Sequence, residues 1–411
     1  MLRCDTVERD DKNVMSGSIH GKTMSLGLIR NSMKALKALA TRRVEIRCDG
    51  IPYLFEEVPL RKLLNWILVE ASLYVKPEKP WGLPTHLQVE PTNRCNLKCA
   101  LCPVTSGLER PSGNMDLELF KKIVNETKGS VFLMLLWDWG EPFLNPRVFD
   151  MITYAGARGI RVISSTNGHM FTQGENAEKV VRSGLDTLIF AVDGITQESY
   201  GRYRCGGSLE TALDGISQVV KQKLILKSKT PLVNFRFIVM KDNEHEIPAV
   251  KELAASLGVD ALSFKTMNPD FNHGDTPSHN SELIPENERY RRFVHGENGR
   301  GPVRNTINPC KNLWNCAIIH WNGVICPCCG DPYEKNALGD LRSDTFTNTW
   351  SGELYRQMRR RFRRNWEEIP LCRDCTNAFK GGSRNDETVT ETIFFTSEEG
   401  AYNSLHGFKG E

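Results

Sequence analysis

The stretch Cys95-Asn96-Leu97-Lys98-Cys99-Ala100-Leu101-Cys102 decides how the rest of the chain is read. Its spacing is C-x3-C-x2-C. Three thiols this close on one loop can hold three irons of a cubane cluster as thiolates. No fourth ligand follows locally, so one iron would keep an open position, as a catalytic cluster needs. The plain alternatives are a zinc loop or a chance cluster. Zinc sites usually show paired C-x2-C spacings, which this is not. Upstream, Leu87-Gln88-Val89-Glu90 alternates apolar and polar residues and reads as a strand ending where the loop begins. Pro91, Thr92 and Asn93 break it.

Composition narrows the class. A chain of 411 residues with 40% hydrophobic and 25% charged residues is that of a soluble globular protein with two or three domains. A net charge of +3 is too small to argue for nucleic acid. Thirteen cysteines suit either secreted disulfides or metal clusters. The polar N-terminus shows no signal peptide, and no apolar run reaches membrane-span length. The expected setting is reducing, cytoplasmic and anaerobic.

Residues 1 to 25 read as disordered. Ile29, Met33, Leu36, Leu39 and Ala40 recur at helical spacing among Arg30, Lys34, Lys37, Arg42 and Arg43. A second helix carries Leu60, Leu63, Leu64, Ile67, Leu68 and Ala71. This N-terminal tail and helical extension, residues 1–80, reads as a cap on the core. The sharper expectation is peripheral membrane or partner contact through its basic amphipathic helices.

From Trp81 strands and helices alternate. Strands are expected at Leu87–Glu90, Val131–Trp137, Arg161–Ser165, Thr187–Val192, Leu232–Met240 and Ala261–Lys265. Helices are expected at Asp116–Thr127, Pro146–Arg158, Asn176–Ser183, Ser208–Lys221 and Glu246–Leu257. Repeated βα units imply a parallel sheet with its site at the strands' C-terminal ends. A count near six points to an incomplete barrel over residues 81–300. Several strand ends carry candidate ligand contacts: Trp139-Gly140-Glu141-Pro142, Ser165-Thr166-Asn167-Gly168 and Ala191-Val192-Asp193-Gly194. Asp193 reads equally well as a helix N-cap. Arg236 sits inside an apolar strand and needs a partner there, a ligand carboxylate or a structural acid.

Residues 301–380 hold Cys310, Cys316, Cys326, Cys328, Cys329, Cys372 and Cys375. Metal explains that density better than disulfides, and a zinc ribbon remains open. Residues 381–411 read as a polar tail.

The Cys95–Cys102 loop resembles the cluster loop of the radical S-adenosylmethionine (SAM) superfamily. The resemblance implies a partial (β/α)6 barrel, a 4Fe–4S cluster whose open iron binds SAM, and reductive cleavage to a 5′-deoxyadenosyl radical that abstracts hydrogen. It implies that Cys95, Cys99 and Cys102 are the ligands. Leu101 stands where the family often has an aromatic residue. Gly140, Glu141 and Pro142 resemble the Gly-Gly-Glu-Pro motif at the SAM amino group, with Trp139 replacing its first glycine. Thr166 and Asn167 match the Thr-Asn-Gly position, and Asp193 a ribose contact. Arg236 is a candidate for the SAM carboxylate. The Tyr200-x-x-Tyr203-Arg204 segment is also recurrent, with no role derived.

Gly323-Val324-Ile325-Cys326-Pro327-Cys328-Cys329, Leu338-Gly339-Asp340, Thr349-Trp350-Ser351 with Tyr355 and Met358, and the closing C-x2-C resemble a SPASM/Twitch auxiliary cluster domain. That pattern continues past its C-x2-C when it serves two auxiliary clusters, and here no cysteine follows Cys375. One auxiliary cluster on Cys310, Cys328, Cys372 and Cys375 is expected, hence two 4Fe–4S clusters in all. The set resembles the fully ligated auxiliary cluster of an aminocyclitol dehydrogenase of the superfamily. Cys316 is its main rival ligand. The expected activity is oxidation or epimerisation of a carbohydrate, aminocyclitol or similar small molecule, with the auxiliary cluster as electron acceptor and a reductant such as flavodoxin or ferredoxin as partner. Modification of a ribosomally made peptide or protein is the alternative.

If the first loop carries the SAM-cleaving cluster, a Cys95, Cys99 and Cys102 triple alanine variant keeps part of its iron. It forms no 5′-deoxyadenosine under dithionite, measured by chromatography. Normal cleavage in that variant refutes the assignment.

Overall fold

The computed structural model describes residues 32–172, 174–268, 283–293, 303–382 and 389–396. Ile29, Arg30, Cys4 and the stretch read as disordered lie outside them. Helix α1 (32–41) leads into a hairpin of β1 (Val44–Cys48) and β2 (Ile51–Phe55), then α2 (Leu60–Val75). The N-terminal extension is therefore not wholly helical, which corrects the sequence reading. The physical cause is visible in the sequence. Val-Glu-Ile-Arg-Cys alternates, and Asp49-Gly50 follows. Asp49 and Gly50 have φ of 57° and 79°, the two left-handed residues of a tight hairpin turn.

The central units run β3 (His86–Val89), α3 (Pro103–Ser106), α4 (Leu117–Thr127), β4 (Leu133–Leu135), α5 (Val148–Gly156), β5 (Arg161–Thr166), α6 (Gly174–Arg182) and β6 (Thr187–Ala191). They continue through α7 (Gln197–Tyr203), α8 (Leu209–Ile225), β7 (Leu232–Val239), α9 (Ile247–Ser256) and β8 (Ala261–Thr266). All six expected strands form, in parallel and in sequence order. Asp116 caps α4, accepting from Leu119 N at 2.8 Å.

The C-terminal part adds α10 (Asn312–Asn315), β9 (Cys316–Ile319), β10 (Val324–Cys326), β11 (Gly339–Asp340), α11 (Phe346–Trp350), α12 (Glu353–Asn365) and α13 (Pro370–Arg373). Strand β9 pairs in parallel with β3, matching His86 to Cys316, and β10 and β11 follow it antiparallel. At the other edge, β12 (Val389–Phe394) pairs antiparallel with β8. Those residues were read as polar tail. Thr-Glu-Thr-Ile-Phe alternates, and the exposed edge of β8 supplies the ladder that a short strand lacks alone.

The sheet buries both faces. Outward residues such as Phe235, Phe237 and Phe264 meet the helices. Inside, Leu133, Ile163, Ile189, Leu232 and Ala261, one from each of β4 to β8, pack with Val44, Ile51, Tyr53 and Phe55 of the hairpin. The hairpin thus fills one end of the lumen. Tyr53 Oη lies 2.8 Å from Thr187 Oγ1, both buried. No helix among the described residues is long and apolar enough to cross a membrane.

Tyr53→Phe removes this hydrogen bond and leaves the Thr187 hydroxyl buried without it, at a cost of about 1–2 kcal/mol. Chemical denaturation should show that loss; an unchanged midpoint would mean the hairpin does not bear on the lumen's stability.

Candidate active site and cluster cavities

The Cys95–Cys102 loop has almost no regular backbone pairing of its own, so neighbours hold it. Ala100 N donates to Tyr203 O at 3.0 Å and Lys98 N to Cys205 O at 2.9 Å. Asn167 Nδ2 donates to Asn96 Oδ1 at 2.8 Å. Glu141 N donates to Arg94 O at 2.7 Å. Gly140 makes that last approach feasible. Its φ is +107°, and a Cβ there would lie 2.5 Å from Thr92 O and 2.7 Å from Arg94 O. The turn tolerates Trp139 in place of a glycine because the close contact falls on Gly140.

Donors converge on the sulfurs. Leu97 N points at Cys95 Sγ (3.4 Å) and Arg204 Nη1 at Cys99 Sγ (3.7 Å). The amides of Val104 and Thr105 hydrogen-bond Cys102. Burial pushes the Cys95 thiol up to about 12, so it ionises readily only against a metal. This donor set fits three cluster thiolates.

The predicted contacts divide. Glu141 is buried at the loop's side. Its carboxylate accepts from Thr166 Oγ1 (2.9 Å), Asn167 N (2.8 Å) and Phe143 N (3.3 Å), and burial raises it to about 7. Pro142 begins the short turn that follows. Asn167 therefore meets the cysteine loop directly, Gly140 and Glu141 close on the residues just before it, and Thr166 acts through Glu141. Asp193 is engaged instead. It binds Arg204 Nε and Nη2, each at 2.6 Å, and accepts from Ile238 N at 2.8 Å. It is not an N-cap either, since Thr196 caps α7. Arg204, singled out in sequence without a role, thus bridges Asp193 to Cys99.

Arg236 also departs from the cofactor reading. Its Nη2 pairs with Asp49 Oδ2 of the hairpin turn at 2.5 Å, with Lys265 Nζ 3.7 Å from the other oxygen. Burial alone would raise Asp49, but Arg236 and Lys265 override it and hold the carboxyl below its ordinary range.

A second cavity, small and largely apolar, is lined by Cys310, Cys328, Cys372 and Cys375, with Leu313, Met358 and Phe362. These are the four cysteines that the SPASM/Twitch resemblance implied. Cys316, Cys326 and Cys329 do not line it. Cys326 Sγ lies 3.8 Å from His320 Nδ1 instead. The Trp350, Tyr355 and Met358 motif is scaffold: Trp350 and Tyr355 each lie 4.5 Å from the Arg359 guanidinium. Arg359 is fully buried and donates to Leu313 O and Trp350 O.

A polar knot joins the end of β3 to the C-terminal strands, with Trp321 N donating to Glu90 Oε2 at 3.2 Å. Arg110 grips both oxygens of Glu90, at the end of β3, at 2.8 and 2.5 Å. His320 Nδ1 is 2.9 Å from Glu334 and its Nε2 3.4 Å from Asp138. Burial alone would lower His320, yet Asp138, Cys326 and Glu334 raise it well above its usual value. Glu90, Asp138 and His320 have metal-ligand geometry, but Arg110 already occupies the Glu90 carboxylate.

Residues 89–254 match the family profile of the radical SAM superfamily, and residues 310–376 match the iron-sulfur cluster-binding SPASM domain. The chain belongs to the radical SAM superfamily. It is an enzyme of that superfamily, with SAM and iron–sulfur clusters as its cofactors. The tungsten-containing aldehyde ferredoxin oxidoreductase cofactor-modifying protein of Pyrococcus furiosus is 26% identical over 322 residues, 71% of this chain and 87% of that protein. The antilisterial bacteriocin subtilosin biosynthesis protein AlbA of Bacillus subtilis is 24% identical over 67% of this chain and 61% of its own length. SuiB of Streptococcus suis, solved with S-adenosylmethionine, superposes with a TM-score of 0.54 at 14% identity, over 83% of this chain and 80% of SuiB. That likeness shows the radical SAM fold.

Glu141 gives the apo protein a pH signature. A carboxyl whose folded pKa is raised from 4.5 to about 7 stabilises the fold only while protonated, so its contribution falls as pH rises through that window. In thermal unfolding of the apo protein, Glu141→Gln should flatten this decline. An unchanged slope would show that the carboxylate is not buried as described.

Proposed function

We propose that this radical SAM enzyme oxidises or epimerises a carbohydrate, aminocyclitol or similar small molecule, using a second, electron-accepting 4Fe–4S cluster. The reading is carried by one observation: a small, largely apolar cavity lined by Cys310, Cys328, Cys372 and Cys375 together. Four thiolates saturate a cubane and leave no iron for substrate, which suits an electron carrier. Cys95, Cys99 and Cys102 would hold the other cluster with one iron open. Bound there, the cluster and SAM supply reductive sulfonium cleavage and hydrogen-atom abstraction.

The remaining roles belong to the chain. Glu141, buried and acidic, offers a counter-charge for the SAM ammonium, and Thr166 and Asn167 orient its carboxylate. Gly140 lets that strand end close on the loop. Arg204 and the Leu97 amide offset sulfur charge at Cys99 and Cys95. A reductant such as flavodoxin or ferredoxin supplies the electron.

The similarity to a cofactor-modifying protein supports a small-molecule substrate. So does the N-terminal hairpin, which is taken up in closing the lumen. Peptide modification is the second reading, favoured by the match to AlbA.

Anaerobically reconstituted protein should hold about eight irons, two cubanes' worth. Cys316→Ala should keep them, and a Cys372→Ala, Cys375→Ala double variant should fall towards about four. Stoichiometric zinc beside about four irons in the wild type would sink the proposal.

A further inference from the structure

Two basic side chains of the lumen converge on one carboxylate. Arg236 on β7 and Lys265 on β8 share one carboxylate, Asp49, delivered by the hairpin turn. Arg292 adds a third positive charge in electrostatic range of Lys265. Arg236 is 6% exposed, and its Nε has no hydrogen-bond partner among the described residues. A buried guanidinium short of acceptors is costly unless an anion completes it.

Position gives the cluster a use. Strand residues alternate faces, so Arg236 and Ile238 point the same way, about 7 Å apart along β7. Ile238 packs against the apolar cluster of Leu101, Tyr203, Met240 and Met267, and Leu101 directly precedes Cys102 in the cysteine loop. The basic residues therefore lie roughly one small-molecule length below the cysteine loop, inside the barrel. Cys329 of the SPASM loop also lies in electrostatic range of Lys265.

We propose that Arg236 and Lys265 form a subsite for an oxyanion of the substrate, a carboxylate or a phosphate ester, with Asp49 as the counter-charge that it partly displaces. This rests on the reading that substrate meets the cysteine loop inside the lumen. Arg236 offers a planar donor fork suited to either oxyanion, and Lys265 a point charge beside it. The hairpin turn sets how much positive charge remains for the ligand.

Full-length reconstituted protein would be melted with phosphate or acetate replacing chloride at fixed ionic strength. A raised unfolding midpoint with phosphate alone indicates a phosphate ester, and with acetate a carboxylate. Asp49→Asn, which keeps the side chain's size, should strengthen the response. An Asp49→Asn, Arg236→Gln double variant leaves neither charge of that pair behind and should weaken apparent anion affinity by about tenfold or more. No response from wild type, or an equal response from the double variant, overturns the subsite. Iron is assayed on the same samples. Protein that responds to anion but fails to load the first cluster contradicts the cofactor assignment and leaves this one standing; the reverse result removes only this one.

Discussion

Three sulfurs on an eight-residue loop must be held to fixed positions by a backbone that forms little regular structure. The 2.7 Å hydrogen bond from Glu141 N to Arg94 O is the tightest of the contacts that do this. It requires two strand ends to touch, and only a residue without Cβ at position 140 permits it. The Thr166–Asn167 turn then grips the Glu141 carboxylate, and Asn167 reaches back to Asn96. Neighbouring strands of the sheet thus converge on one loop. A change in any of them displaces the sulfurs as well as itself.

Arg204 closes the same circle from the far side. It is buried on Asp193, and Asp193 is fixed in turn by the Ile238 amide of β7. The guanidinium that faces Cys99 is therefore set by two strands. Asp193 holds Arg204 at a position where a ligand contact and a helix N-cap were equally expected.

The SPASM region shares the barrel's sheet rather than hanging from it. Strand β9 pairs in parallel with β3; Glu90, at the strand end before Cys95, accepts from Trp321 N at 3.2 Å, and its partner Arg110 lies 3.8 Å from Glu334 in the loop after Cys328. Arg110 also donates to Pro332 O at 2.6 Å. Paired strands and buried ion pairs are poor hinges, so the two cysteine-lined sites keep a constant separation. A constant separation suits electron exchange between them.

The sequence by itself determined the six parallel strands, their order, the cysteine loop and the turns of residues 140–142 and 166–168. Each is a local pattern: a period of two, a breaker, or a spacing of ligands. It also carried the β1–β2 hairpin in Asp49-Gly50 and β12 in an alternating run. Those signals are weak because a short strand is stable only against a neighbour. Which of seven C-terminal cysteines share a cavity was legible only through resemblance. The partners of Arg236 and Asp193 were decided by tertiary structure alone. Asp49 lies 187 positions before Arg236, and no spacing rule connects a hairpin turn to the middle of a barrel strand. A buried charge announces that it needs a partner, but only the packed fold decides which group arrives.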